Sequence, residues 1–347
     1  MLRCWILMCL PAIALASTGQ AGCCFTGGSV LAQNDSSYYV SYEDQLTTRF
    51  YFSKKYTSFR FLDQADDIRL RYFPNTTLNM GVGATYKWAS LNLGFGFGFL
   101  NPDDGKGDTK YLDLQGDFYG RKFLIDVLGQ FYKGFYLIDE DLRDADGDFY
   151  TRPDIRLNVF GLSGQYIFNH ERFSYRAGFL QNEWQKKSAG TMLLGWQLSW
   201  GNGEADSTIV PYAISNVHQE AQKQRLSFFQ TGPSIGYAYT AVLHEHFFIM
   251  GSGAIALVFG TNLIAGPERE RSSSFLPNFS FKTFAGYNSE KWAISLTFTN
   301  ETLNIGNNLA DQRFALSTGN LRLNFVRRFV LKRDLIEAIR SKTGLGR

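Results

Sequence analysis

Asp113, Asp117, Lys122 and Asp126 fall on the less apolar of the two faces that the local alternation of residues defines. Successive strand side chains point to opposite sides, so every second residue shares a face. Arg172, Arg176, Lys282 and Arg322 occupy the corresponding faces of later stretches. Two kinds of chemistry suit such a set. Charges around a lumen can filter solutes along a selective path. Alternatively, opposite charges pair with one another and stiffen a filled interior. Both readings require the charges to point inward, since a basic residue facing lipid costs about 2–4 kcal/mol near the midplane.

Other constellations carry less. The acidic run from Asp139 to Asp148 gathers oxygen ligands of the kind Ca²⁺ takes, but no glutamate closes it at the spacing an EF-hand needs. It reads as a solvated loop tip, as does Asn101-Pro102-Asp103-Asp104-Gly105. His244 and His246 flank Glu245, a pair that holds zinc only if a third ligand arrives from elsewhere. Ser188 lies beside Lys186 and Lys187, yet neighbours in a loop need not converge into a nucleophile and base. His170, His244 and His246 fall in tight turns and His218 in a long loop, away from any strand serine. Gly94, Gly96 and Gly98 lie on a strand and do not form a phosphate cradle. No catalytic residue, metal ligand or cofactor is predicted, and no enzyme activity.

The elements that would position the charged residues are amphipathic strands. Leu91, Leu93, Phe95, Phe97 and Phe99 alternate with Asn92, Gly94, Gly96 and Gly98. Trp292, Ile294, Leu296 and Phe298 repeat the pattern, as do Phe173, Tyr175, Ala177 and Phe179. So many strands with one greasy face exceed what a shared soluble core can absorb, whereas a transmembrane barrel turns that face to lipid. Strand-like pieces cover 49–53, 57–62 and 68–73, then 78–87 with 91–100, 111–119 with 122–132, and 154–168 with 173–180. Further pieces are 191–200, 208–214, 226–240, 247–259, 279–287, 292–299 and 314–329. Tight turns follow residues 87, 119, 168, 243 and 287; long polar loops fill 101–109, 133–153, 181–190, 215–225, 260–274 and 301–312. Short turns at one end and long loops at the other predict an all-β fold: a transmembrane antiparallel up-and-down β-barrel of about 14 strands, with 12 as the fallback.

Composition agrees. The chain has 347 residues, with 31 Phe, 18 Tyr, 34 Gly and 8 Pro, which suits aromatic outer faces and crowded inner ones. A net charge of +3, with no basic stretch interleaved with aromatics, argues against a nucleic-acid partner. Residues 1–32 read as a signal peptide, with Arg3 before an apolar run from Trp5 to Ala16. Cleavage is placed after Ala32 in preference to Ala16, and Cys23 gives a weaker lipoprotein alternative. All four cysteines (Cys4, Cys9, Cys23 and Cys24) lie in this leader, so the rest of the chain has no disulfide or thiol chemistry. Residues 33–45 read as a periplasmic lead-in, 46–330 as the barrel, and 331–347 as a short amphipathic periplasmic helix with Leu335, Ile336 and Ile339 on one face.

Several phrases resemble a family of outer-membrane β-barrels from Bacteroidota classed only as a domain of unknown function. They include Leu70-Arg71-Tyr72-Phe73-Pro74-Asn75, Gly81-Val82-Gly83-Ala84-Thr85-Tyr86-Lys87-Trp88 and Phe131-Tyr132-Lys133-Gly134-Phe135-Tyr136. Arg152-Pro153-Asp154-Ile155, Tyr166-Ile167-Phe168-Asn169, Phe173-Ser174-Tyr175-Arg176-Ala177 and Gln185-Lys186-Lys187-Ser188-Ala189-Gly190 extend the likeness over roughly 46–329. The resemblance implies the outer membrane of a Gram-negative bacterium, with lipid and lipopolysaccharide as surroundings, and brings no catalytic residues. Three functions compete: a pore or binding protein for a small solute, a filled anchoring barrel, and, more remotely, a lipid-modifying enzyme. The anchor would meet a periplasmic partner through the C-terminal helix, whose basic residues are Lys332, Arg333, Arg340 and Lys342.

Overall fold

Alternating sequence becomes long antiparallel strands. The computed structural model describes residues 35–63, 67–87, 89–101, 105–138, 148–211, 224–266, 269–306 and 312–330. The expected leader (1–32), the acidic run 139–147 and the C-terminal helix (331–347) lie outside the described residues. A short β1 (Tyr39–Ser41) precedes β2 (Gln45–Asp63), β3 (Ile68–Phe73), β4 (Leu78–Tyr86) and β5 (Ala89–Gly96). After a 3-10 turn at Gly98–Leu100 come β6 (Lys110–Tyr119), β7 (Phe123–Leu137) and β8 (Tyr150–Ile167). A short helix α1 (Tyr175–Phe179) and β9 (Glu183–Gln185) follow. The series ends with β10 (Ala189–Glu204), β11 (Arg225–Leu243), β12 (Phe247–Ala265), β13 (Arg269–Asn288), β14 (Trp292–Gly306) and β15 (Gln312–Val330).

Among the described residues ten strands close a ring: β2, β3, β7, β8 and β10 to β15, with β15 returning to pair along the whole of β2. Three more strands lie outside that ring, β4 and β5 continuing from β2 and β6 pairing β7. Two residues account for this split wall. Pro74 ends β3, because proline has no N–H to give the ladder, and the chain resumes as β4 farther down β2. Gly134 sits at a bulge in β7 with φ +93°, and a Cβ there would lie 2.4 Å from the Asp108 carbonyl oxygen. Below that bulge β7 pairs β6; above it, Tyr136 and Leu137 pair β3. Thr109 pins the junction, accepting from the Asn75 N–H at 2.8 Å and donating to the Gly134 carbonyl at 2.9 Å.

The outer surface is apolar between two aromatic bands. Near the tight turns, Phe247 meets Tyr287 at 5.3 Å, Tyr287 stacks on Trp292 at 4.6 Å, and Phe123 meets Tyr166 at 5.3 Å. Toward the long loops, Phe160 stacks on Trp200 at 4.2 Å and Phe259 packs on Phe275 at 4.7 Å. Between the bands exposed side chains include Ile249, Ile255, Leu257, Phe279 and Phe281, while polar Ser273 and Arg271 lie beyond the loop-side band on β13. From Phe247 to Phe259 the strand rises roughly 40 Å, about 30 Å once a barrel tilt of about 40° is taken off. That height matches a hydrocarbon core of about 30 Å, so this is a membrane-facing exterior.

The structure corrects the expected count of 14, and the fallback of 12, to ten strands in the closed ring with three attached. The pieces 49–53 and 57–62 are one strand, β2. Residues 173–180 are not a wall strand: Ser174 caps α1, its hydroxyl accepting from the Ala177 N–H at 3.0 Å, and Tyr175, Arg176, Ala177 and Gly178 are all buried. Aromatic residues at every second position met protein on all sides here, a situation that local alternation does not distinguish from a lipid face. Residues 181–190 accordingly belong to the turn end rather than to an outer loop. Thr208–Val210 is likewise not strand, while much of the expected loops 260–274 and 301–312 is strand in β12, β13, β14 and β15.

Candidate functional site

The inward faces line a chamber of about 920 Å³. Each end of it is filled by apolar side chains. At the turn end, the segment between β8 and β10 folds up into the barrel. Phe179 packs on Tyr119 at 4.3 Å and on Phe284 at 3.9 Å, and the Tyr175 hydroxyl bonds to that of Ser252. β9 pairs with β1, so the lead-in and the plug form one cap. Arg328 fastens that cap, donating to the Gln181 carbonyl at 2.9 Å and to Asn288 Oδ1 at 2.8 Å. Within the plug, burial pushes the Glu183 carboxyl above its ordinary range, against the pull of Arg176 at 3.4 Å and the Ser174 hydroxyl that donates to it. At the loop end a second cluster fills the lumen: Phe59, Phe61, Tyr72, Leu157, Phe228 and Phe314 with their neighbours. The segment after β10 descends onto it, where the Tyr72 hydroxyl donates to the Ile209 carbonyl and Arg152 donates to the Thr208 carbonyl at 2.7 Å.

Between these clusters the wall is charged and balanced. Lys282 Nζ pairs with Asp126 Oδ2 at 2.7 Å, and Lys55 Nζ with Asp113 Oδ1 at 3.0 Å. The Tyr132 hydroxyl and Gln130 amide also donate to Asp113, at 2.7 and 3.2 Å. Arg49 donates to Thr85 Oγ1 and to the Leu180 carbonyl, both at 2.7 Å, tying the wall to the plug. Besides Arg49, three charges of the chamber wall remain outside any ion pair among the described residues. Asp117 stands beside Asp126 across the β6–β7 ladder. Glu301 accepts from the Gln197 amide at 2.5 Å, and Arg322 lies 4.5 Å over the Tyr51 ring with its Nε buried and unbonded. The arrangement can bind a group carrying both signs of charge, because its spare groups are of both signs.

Of the residues singled out in the sequence, Asp113, Asp117, Asp126, Lys282 and Arg322 line the chamber. Lys122 does not: it is exposed in the tight turn before β7. Arg172 lies 5.2 Å over the Tyr38 ring at the cap. Arg176 is on the plug helix rather than on the wall, paired with Glu43 and Glu183. His246 stacks between Trp184 and Tyr287 at 5.0 and 5.1 Å, and no cluster able to hold a metal ion is found among the described residues. The Ser188 hydroxyl accepts from the Val242 N–H at 2.9 Å. Arg49, Lys55 and Glu301 were missed. Parity on β2 with Tyr51 would have found the first two; Glu301 lay in a stretch read as loop.

Fold, exterior and chamber together define a β-barrel with a membrane-facing surface and a polar compartment inside it. The chain belongs to the family described as Domain of unknown function (DUF4421), whose model matches residues 33–329. No curated protein matches the chain. Among solved structures, the outer membrane protease OmpT from Escherichia coli is similar at 11% identity and TM-score 0.40, over 84% of this chain and 98% of that one. OmpT of Vibrio cholerae aligns at 10% identity and TM-score 0.27, over 82% of this chain and 98% of its own. The P. putida toluene transporter TodX aligns at 6% identity and TM-score 0.24, over 83% and 91%.

Proposed function

We propose that this is an outer-membrane protein of a Gram-negative bacterium that captures a small polar solute in its chamber rather than conducting freely. The observation that carries the reading is a charged compartment of about 920 Å³ held between two apolar clusters. A porin's lumen is a continuous water path; here side chains fill the lumen above and below the charged zone. A purely structural barrel needs no such compartment, and Asp117, Glu301 and Arg322 would have little reason to stay outside ion pairs. The outer-membrane address rests on the aromatic bands and the apolar belt between them. Export by the leader 1–32, a bacterial source in Bacteroidota, and surroundings of lipid and lipopolysaccharide complete the proposal. So does a short helix over 331–347 that meets a periplasmic partner.

Binding is favoured over catalysis because His170, His244 and His246 all lie at the turn end, outside the chamber lining. The test is single-channel recording on leader-free protein folded into a planar bilayer. Sparse or absent conductance from inserted protein is expected. Steady ohmic steps of an open barrel would overturn the reading.

A further inference from the structure

The wall of the chamber is interrupted on one side. Among the described residues no ladder joins β5 to β6, although they are consecutive strands of the chain. Elsewhere inward residues are buried, as Ser252, Ala254 and Ala256 are on β12. On these two strands the inward residues Asn92, Gln115 and Asp117 are exposed, as are the outward Leu91, Leu93, Phe95, Leu112 and Leu114. The chamber lining includes residues of both edges. Backbone edges cannot lie bare against hydrocarbon and are tolerated at membrane depth only along a polar, water-filled space. The gap is therefore a cleft with apolar lips and a charged floor.

We propose that this cleft is a lateral portal through which a glycerophospholipid with a zwitterionic phosphoethanolamine-type headgroup enters the chamber from the membrane. The inference rests on the chamber reading above and names its ligand class. Charge complementarity selects the occupant. Arg322, with no carboxylate in ion-pair reach, takes the phosphate. Asp117 and Glu301, with no cation within ion-pair distance among the described residues, take the ammonium. Leu91, Leu93, Phe95 and Leu114 leave the acyl chains in lipid. An anionic lipid supplies no partner for the two spare carboxylates, and a soluble solute has no use for apolar lips.

The experiment folds leader-free protein into phosphatidylglycerol vesicles carrying a minor fraction of phosphatidylethanolamine, extracts it in detergent, and identifies co-purifying lipid by mass. In parallel, calorimetry measures binding of soluble glycerophosphoethanolamine. Phosphatidylethanolamine is expected to be retained selectively. Arg322→Gln should weaken both lipid and soluble-ester binding about tenfold or more, the size of losing one charge-assisted hydrogen bond. Gly116→Trp tests the portal. A Cβ there meets nothing nearer than the Val127 Cβ at 3.9 Å, so the ring fits and obstructs the cleft from outside. It should cut lipid retention about tenfold or more while leaving the affinity for the soluble ester unchanged. Leu112→Trp on the same edge, outward and outside the chamber lining, replaces it if folding, judged by heat-modifiable gel migration, is lost. Equal retention of phosphatidylglycerol, no retention of either lipid, or indifference to the cleft variants would overturn the portal while the chamber reading stands. Open-barrel conductance would remove the chamber itself.

Discussion

Lys282 stands at the centre of the chamber's electrostatics, 2.7 Å from Asp126 and 5.6 and 5.3 Å from the centres of the Tyr119 and Phe179 rings. Lys282→Met leaves Asp126 without its cation. The two side chains are 17% and 24% exposed, so chamber water reduces the 3–5 kcal/mol typical of a fully buried pair to about 1–3 kcal/mol. Urea unfolding of the folded protein in detergent measures this. Adding Asp126→Asn should restore most of the loss, because the carboxylate that Lys282 pairs with is then gone. Glu183 gives a second prediction at this scale. Its free carboxyl titrates near 4.5 and the docked one higher, mainly through burial. The docked plug therefore binds more protons above that pH, and docking weakens as pH rises through the docked value. Amide exchange protection over residues 174–186 should fall across that window and level off above it. Glu183→Gln should flatten the response; an unaltered pH dependence would assign it to another group.

At the scale of elements, the plug is the piece that closes the turn end of the barrel. Its hold is distributed: Arg49 and Arg328 from the wall donate to the carbonyls of Leu180 and Gln181, and β1 pairs β9. Replacing residues 171–187 by a short Gly-Ser connector should open the turn end without breaking the ring, whose ladders do not include that segment. Ser163 lines the chamber, and all native cysteines precede residue 25, so Ser163→Cys offers a clean reporter in the leader-free protein. A water-soluble, membrane-impermeant thiol reagent should label it about tenfold or more faster once the plug is gone, corresponding to at least about 1.4 kcal/mol of protection. Equal labelling rates would mean that the plug does not seal the chamber.

For the whole molecule, closure and the loop-end core are one structure. Phe314 on β15 stacks on Phe59 at 5.5 Å and packs on Phe61 at 5.1 Å, both on β2, across the ladder that closes the ring. All three are at most 2% exposed. Phe314→Ala should cost about 3–5 kcal/mol, a transfer loss plus a cavity that the two strands cannot collapse. Denaturant unfolding followed by tryptophan fluorescence and by gel migration should show the drop with both probes. A change below about 1 kcal/mol would show that the site relaxes around the deletion.

The sequence by itself determined which face of each strand meets lipid, because parity is a property of neighbours along the chain. Leu91, Leu93 and Phe95 point outward, and Asp113, Asp117 and Asp126 inward, as alternation dictates. It also placed the tight turns after residues 119, 243 and 287. What only the tertiary structure decided depends on residues far apart. Lys282 finds Asp126 from 156 positions away. Phe173 and Tyr175 alternate like a wall strand, yet they bury inside the barrel because the volume between Met250, Phe284 and Tyr119 was there to fill. Pro74 and Gly134 are visible as breaks, but that they split one wall, leaving β5 and β6 facing each other unpaired, follows from where β2 and β7 stand around the ring. Alternation is read within one strand; closure, plugging and the cleft are set by the packing of the whole ring.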